Sequence, residues 1–371
     1  MASTSQTESI PTTQRAWIVV KQGKPHEALD FKSDFPVPKS KPGHVLVRVR
    51  AAALNPVGWK LMSALPTLLS PRPHVAEHDL AGVVADANGS QFSNGDEVIG
   101  FIPVPLQFGT RQGALAQYVT LPSTHLIRKP SKLSWQEAAG LPLAGQTALQ
   151  GLHLAGYTFT RHPGSPGYDN YPNETVFING GSTAVGIYAI QLSKALGLRV
   201  VASASGKNEA FVKSLGADEF IDYQKQPLPA FLLSNPPDPR FSMIFDAVGL
   251  TDTSLYSKCE AYLAPPIGRR GGVYVSTGIT PKGQGWGSVV RDIGRLVHVA
   301  GRPAFLGGVR RGWKLIQVEN KEEDMKTLCD LVEKGLLKPH VDSTHDFSSA
   351  LDAYEKLMTG RAVGKVVVLV D

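Results

Sequence analysis

The residues with the clearest chemical potential are Gly180-Gly181-Ser182-Thr183-Ala184-Val185-Gly186. They follow the apolar run Thr175–Ile178 and lead into a helical pattern over Val185–Leu196. A glycine-rich turn between strand and helix lets the backbone approach a phosphate closely. The free N–H groups at the helix N-terminus then meet the anion with a favourable dipole. A second apolar run, Arg199–Ser203, ends about 20 residues after the turn, the spacing of a dinucleotide-binding βαβ unit. A tight turn with no ligand is the bland alternative, and the flanking strand, helix and second strand argue against it.

The end of that second strand bears on which dinucleotide binds. Sites for NAD place Asp or Glu there to accept hydrogen bonds from the ribose hydroxyls. Here the chain reads Ser203-Ala204-Ser205-Gly206-Lys207-Asn208, with no acid before Glu209. Hydroxyls and an ammonium suit a 2′-phosphate, which an acid would repel, so the expected cofactor is NADPH. The competing reading makes Lys207 a solvated residue at a helix start.

The surrounding pattern predicts an α/β chain in two parts. Strands are expected at 16–20, 44–53, 79–85, 97–102 and 115–121, with no helix of ordinary length before Ser134. Ser134-Trp135-Gln136-Glu137 has the form of a capping box. Beyond it, strands at Ile221-Asp222-Tyr223, Met243–Val248 and Gly272–Thr277 alternate with helical stretches such as Glu209–Leu215, the pattern of a parallel doubly wound sheet. Tyr157–Asn173, with three prolines and two glycines, is expected as a surface insertion. Helices over 321–335 and 347–359 precede a closing strand, Lys365–Val370, which needs a partner in one of the sheets.

Composition narrows the class. The 371 residues are 42% hydrophobic and 19% charged, as in ordinary globular proteins, and their number suggests two domains. The net charge is +6, but Arg269-Arg270 and Arg310-Arg311 are only short basic pairs, which argues against nucleic-acid binding. Two cysteines, Cys259 and Cys329, suffice for neither a metal lobe nor a disulfide framework and are expected as buried free thiols. Met1–Gln14 lacks the apolar run of a signal peptide, and no stretch approaches the roughly 18 apolar residues of a membrane helix. A cytoplasmic protein is the expectation.

In order along the chain stand Ala53-Leu54-Asn55-Pro56-Val57-Gly58-Trp59-Lys60, Glu77-His78-Asp79-Leu80-Ala81-Gly82-Val83-Val84, Gly95-Asp96-Glu97-Val98-Ile99-Gly100 and Gly113-Ala114-Leu115-Ala116-Gln117-Tyr118-Val119. Leu141-Pro142-Leu143-Ala144-Gly145-Gln146-Thr147-Ala148, the glycine turn, Phe245-Asp246-Ala247-Val248-Gly249 and Gly360-Arg361-Ala362-Val363-Gly364-Lys365 follow. With these motifs the chain resembles the medium-chain dehydrogenase/reductase superfamily over nearly its whole length. It is most similar to the zinc-independent quinone oxidoreductase and enoyl reductase branch. The resemblance implies a GroES-like β-rich catalytic domain, 1–140 completed by 336–371, and a Rossmann NADPH-binding domain, 141–335. Zinc-dependent members have a catalytic Cys where Asn55 stands and a four-cysteine lobe that is lacking here. His78 matches one zinc-ligand position, but a lone imidazole does not make a catalytic zinc site, so no metal is expected. Two residues depart from the family pattern: Thr183 replaces a usual glycine, as in fungal members, and Gly58 replaces a common Asp.

The resemblance also implies roles. Asn55 and Lys60 lie beside the nicotinamide pocket, and Lys60 stabilises enolate charge or donates a proton, unless it is a surface or structural lysine. Thr147 lies near the nicotinamide ribose or pyrophosphate, on which Gly181, Ser182, Thr183, Ala184 and Val185 also close. Ser203, Ser205, Lys207 and Tyr223 are assigned to the adenosine phosphate end. Gly249 and Gly278 let the backbone approach the nicotinamide half, and Lys365 reaches the cofactor from the tail. The implied reaction is hydride transfer to the conjugated C=C of an enone or enoyl thioester, or to a quinone. Alternatives are a trans-acting enoyl reductase of a polyketide synthase, meeting a carrier-bound substrate, and a non-catalytic NADPH-binding regulatory or assembly protein. The assembly is expected to be a monomer or a homodimer.

Overall fold

The structure, a computed structural model, describes residues 9–159, 171–249, 253–265, 272–278 and 286–371. The first part is β-rich. It contains β1 (Thr13–Val19), β2 (Leu29–Pro36), β3 (His44–Ala53), helix α1 (Pro56–Ala64), β4 (His74–Val75), β5 (Asp79–Asp86), β6 (Glu97–Phe101), β7 (Tyr118–Pro122) and β8 (Leu126–Arg128). Strands 44–53 and 79–86 show why: apolar residues recur along them, and each packs its buried side on one core.

The second part opens with the predicted capping box, in which the Glu137 N–H donates to Ser134 Oγ at 3.3 Å and the Ser134 N–H donates back to Glu137 Oε2 at 3.0 Å. Then follow α2 (Pro142–Leu154), β9 (Thr175–Asn179), α3 (Ala184–Ala195), β10 (Arg199–Ala204), β11 (Glu219–Asp222), β12 (Met243–Asp246), β13 (Val273–Ser276), α4 (Trp286–Ala300), β14 (Gly312–Leu315) and α5 (Glu322–Glu333). All five pairings in this sheet are parallel, in the order β11-β10-β9-β12-β13-β14. Numbered within the sheet, that order is 3-2-1-4-5-6, the doubly wound arrangement with its switch point between β9 and β12.

The chain ends with β15 (Val341–Asp346), α6 (Ala350–Met358) and β16 (Lys365–Leu369). β16 lies antiparallel to β3, with Val367 opposite Ala53 and Leu369 opposite Ala51, so the tail returns to the first sheet. The partner required of the closing strand is therefore β3. β15 adds on the far side of β16, extending a sheet ordered β15-β16-β3-β5-β6-β8, and β7 also pairs with β3.

Several elements differ from the sequence reading. A nine-residue helix, α1, stands well before Ser134. Pro56 occupies its first turn, where a fixed φ favours helix, and apolar residues mixed with Gly58 hide the 3.6-residue period. β2, α4 and β14 were likewise not anticipated. Tyr223 falls just past its expected strand, in a turn. Of the expected surface insertion, residues 160–170 lie outside the described residues, while at its start Tyr157 is buried and donates to Ser242 Oγ at 2.7 Å. Cys259 and Cys329 are free and buried, as expected.

Because Val367 is wholly buried between the two parts, Val367→Ala should lower unfolding free energy by about 1–3 kcal/mol. Chemical denaturation followed by tryptophan fluorescence checks this, and an unchanged midpoint would deny the tail its part in the core.

Candidate active site

The glycine turn sits at the carboxyl end of β9, at the switch point. Gly180 has φ 85°, a left-handed conformation that glycine adopts without steric cost. A Cβ on Gly186 would lie 2.1 Å from the Gly180 carbonyl oxygen, so the turn closes only around glycine there. Thr183 caps α3: its hydroxyl donates to Gly180 O at 2.8 Å and accepts from the Gly186 N–H at 3.0 Å. Among the described residues no acceptor meets the N–H of Ala184 or Val185. Two donors at a helix N-terminus are thus open to an anion.

Around the turn, Asn179 ties neighbouring strands, donating to Asp246 Oδ1 at 2.8 Å and accepting from Ser203 Oγ at 3.0 Å. Asp246 also accepts from Tyr274 OH and from the Val248 and Gly249 N–H groups, which fixes the Gly249 backbone. Gly278, with φ 126°, donates to Ser276 Oγ at 3.3 Å at the end of β13. Both glycines therefore stand at strand ends on the same side of the sheet as the turn.

Beyond the end of β10, Ser205 is buried and accepts from Asn208 Nδ2 at 3.2 Å, Lys207 is exposed, and Tyr223 is 48% exposed. One acid was not anticipated. Register places Asp222 of β11 opposite Ala204, and a Cβ on Gly206 would lie 2.4 Å from Asp222 Oδ2. The acid comes from the adjacent strand, so the run 203–208 gives no sign of it.

A second cluster forms where the tail meets the first part. The Lys365 ammonium, 2% exposed, donates to Asn55 Oδ1 at 2.8 Å and Asp79 Oδ2 at 2.9 Å. Asn55 donates in turn to Asp79 Oδ2 at 2.9 Å and Ala53 O at 3.1 Å. The other Asp79 oxygen accepts from the Leu143 N–H at 2.8 Å. One turn along α2, the Thr147 hydroxyl donates to Leu143 O at 2.6 Å. Next to Lys365, the Gly364 N–H donates to Ser182 O at 3.1 Å, so the cluster abuts the glycine turn. Lys365 is thus held by Asn55 and Asp79, and it is Gly364 that touches the glycine turn.

Sequence reasoning passed over Asp79, Glu77 and Tyr354. Glu77 is buried with φ 65°, and its carboxylate accepts from the Asn55 N–H at 3.0 Å and Tyr354 OH at 2.7 Å. Only its place in the Glu77-His78-Asp79 motif could have drawn attention to it. His78, between these acids in sequence, is buried with its Nδ1 on Ile102 O at 2.8 Å, and burial lowers its pKa, favouring the neutral ring. Lys60 lies half-buried on α1, and burial lowers the pKa of its ammonium. Asn55 and Lys365 are joined directly, and Lys60 stands on the helix that Asn55 opens.

Comparison with known proteins agrees with this arrangement. Residues 41–131 match the family described as Alcohol dehydrogenase GroES-like domain, and residues 215–368 match that described as Zinc-binding dehydrogenase. The chain belongs to the medium-chain dehydrogenase/reductase family and is an oxidoreductase with a GroES-like domain and a Rossmann-like parallel-sheet domain. It is 34% identical to the 2-methylene-furan-3-one reductase of Solanum lycopersicum, over 99% of this chain and 82% of that one. It is 32% identical to the trans-enoyl reductase pgmF of Aspergillus terreus, over 100% and 99%. Among solved structures, the quinone oxidoreductase from Coxiella burnetii superposes with a TM-score of 0.76 at 26% identity, covering 96% of this chain and 99% of that one.

Zinc, named in the second family description, does not suit the donors present. Among the described residues no group of three or more His, Cys, Asp and Glu side chains is placed to hold a metal ion. Asn55 and Asp79 already face an ammonium. No helix of the described residues is long and apolar enough to cross a membrane.

Burial pushes the Glu77 carboxyl up to about 7, against the opposing pull of Tyr354, the Asn55 N–H and Lys365. A glutamate in the unfolded chain titrates near about 4.3. The folded value is the higher, so this group's contribution to stability is whole below that pH and is lost as pH rises through about 7. Glu77→Gln should therefore flatten the decline in stability between about pH 4.5 and 8 by on the order of 3 kcal/mol. Urea denaturation of both proteins at the two pH values measures the difference, and parallel declines would contradict it.

Proposed function

We propose that the chain is an NADPH-dependent, metal-free reductase acting on the conjugated C=C of enones or enoyl thioesters, or on quinones. The observation that carries this reading is the abutment of the Asn55–Asp79–Lys365 cluster on the glycine turn through Gly364 and Ser182. It brings polar groups of the proposed catalytic unit, 1–140 with 336–371, against the phosphate loop of the proposed cofactor unit, 141–335.

When bound, NADPH supplies a hydride, two electrons with one proton, to the β-carbon of the acceptor. The chain's own residues then have three tasks. The Ala184 and Val185 N–H groups, with Gly181, Ser182 and Thr183 shaping the turn, hold the pyrophosphate. Ser203, Ser205, Lys207 and Tyr223 receive the adenosine end, where the Lys207 ammonium favours a 2′-phosphate. Thr147, Gly249, Gly278 and Lys365 border the nicotinamide end, Lys365 through its hold on Asn55. Lys60, whose ammonium burial makes a better acid, delivers the proton that balances the hydride or steadies the developing enolate. Positioning of acceptor against donor contributes much of the rate, so no larger acid–base set is required. A carrier-bound acceptor is the second reading, favoured by the similarity to a trans-enoyl reductase along the whole chain.

Two substitutions test these assignments with a simple enone or quinone as acceptor. Lys207→Glu should raise the Michaelis constant at least tenfold for NADPH, about 1.4 kcal/mol or more, and less than threefold for NADH. Equal effects would remove the 2′-phosphate assignment. Lys60→Met should lower turnover tenfold or more with NADPH affinity nearly intact, and undiminished turnover would make Lys60 a bystander.

A further inference from the structure

We propose that Glu77 is a positioning residue of this site, supplying from outside α1 the capping carboxylate that Gly58 cannot, and so fixing Asn55 and Lys60 to the C-terminal helix through Tyr354. The inference builds on the reductase reading above and adds a residue that the reading does not use.

The local problem is the start of α1. Asn55 is its N-cap, yet the Asn55 side chain does not cap, being spent on Lys365, Asp79 and Ala53 O. In a capping box the third helical residue carries an acid that accepts from the N-cap N–H. Here that residue is Gly58, and the first turn contains no acid at all. Glu77 performs the missing half: its Oε2 accepts from the Asn55 N–H at 3.0 Å. A carboxylate there also faces the positive end of the helix dipole.

Space shows that residues 58 and 77 share one position. A Cβ on Gly58 would stand 2.4 Å from Glu77 Oε1, 3.0 Å from its Cδ and 3.2 Å from Oε2. Any side chain at 58 competes with this carboxylate, and an acid grown from 58 would reach the same place. The backbone of Glu77 is left-handed, at φ 65°, a strained state for a non-glycine residue that persists only where surroundings over-determine it. Those surroundings are the two hydrogen bonds and nearly complete burial.

The consequence for the site follows from what the carboxylate joins. Oε1 accepts from Tyr354 OH of α6 at 2.7 Å, and Tyr354 is wholly buried. Oε2 fixes the peptide of Asn55, whose side chain completes the bonding of Lys365, and the same peptide opens the helix bearing Lys60. Loss of the carboxylate frees both ends at once.

The test is a swap. Glu77→Gly alone should lower kcat tenfold or more while the Michaelis constant for NADPH changes less than twofold, and should speed hydrogen exchange of amides 57–61 at least tenfold. Gly58→Asp combined with Glu77→Gly should restore kcat to within threefold of the parent and return exchange to the parental rate. Unaltered exchange in Glu77→Gly overturns the proposal, whatever the activity. A swap variant with parental melting temperature but kcat still tenfold low also overturns it, since the carboxylate would then serve only the fold. Should Glu77→Gly fail to fold, the swap variant alone decides by the same criteria. If the parent reduces no enone or quinone with NADPH, the reductase reading fails, while the exchange measurements still judge Glu77.

Discussion

The Lys365 ammonium is buried, and everything around it must answer that fact. A charge taken out of water costs several kcal/mol and is tolerated only when its partner and their remaining hydrogen bonds are well placed. Here Asp79 collects Lys365, Asn55 Nδ2 and the Leu143 N–H, while Lys365 reaches both Asp79 and Asn55. These groups come from β5, β16, the β3–α1 junction and the start of α2. They coincide only when β16 is docked on β3. The next residue back, Gly364, then lies against Ser182, so docking of the tail and approach to the glycine turn are one event.

The same economy explains Thr183. Its backbone is extended, at φ −73° and ψ 159°, a conformation that any residue adopts, so the turn does not require glycine there. The hydroxyl gives the turn something glycine lacks, a bond to Gly180 O and a cap on the Gly186 N–H. One donor of the helix terminus is thereby satisfied within the protein, and the N–H groups of Ala184 and Val185 stay open. The turn is held rigid by a side chain while its open donors remain backbone N–H groups.

What the sequence revealed depended on the range of the interaction. The strand, turn and helix at 175–196 and the strand after them lie within one continuous segment, so period and spacing exposed them nearly to the residue. The glycine turn and the helix that follows it are legible from that segment alone. Helix α1 escaped because its start depends on a carboxylate 22 residues away and its interior holds Gly58. Tyr354 meets Glu77 across 277 residues, a distance at which no local pattern speaks. Lys365 was singled out for a role near the cofactor, yet its immediate partners could not be known before the register of β16 on β3 fixed them.

The adenosine end carries the same lesson into the proposed cofactor choice. Read along the chain, residues 203–208 offer hydroxyls and one cation with no acid. Read across the sheet, parallel pairing sets Asp222 beside Ala204, and the missing side chain of Gly206 admits its carboxylate. One Asp222 oxygen accepts from the Gln224 N–H at 3.0 Å, which turns part of the charge toward its own loop. A 2′-phosphate would therefore meet Lys207 and Ser205 with an acid close by, rather than a purely cationic cradle. At exposed distances such opposing charges each contribute modestly and are screened by salt. The proposed preference for NADPH would then rest on a small difference between two nearby charges, set as much by Gly206 as by Lys207.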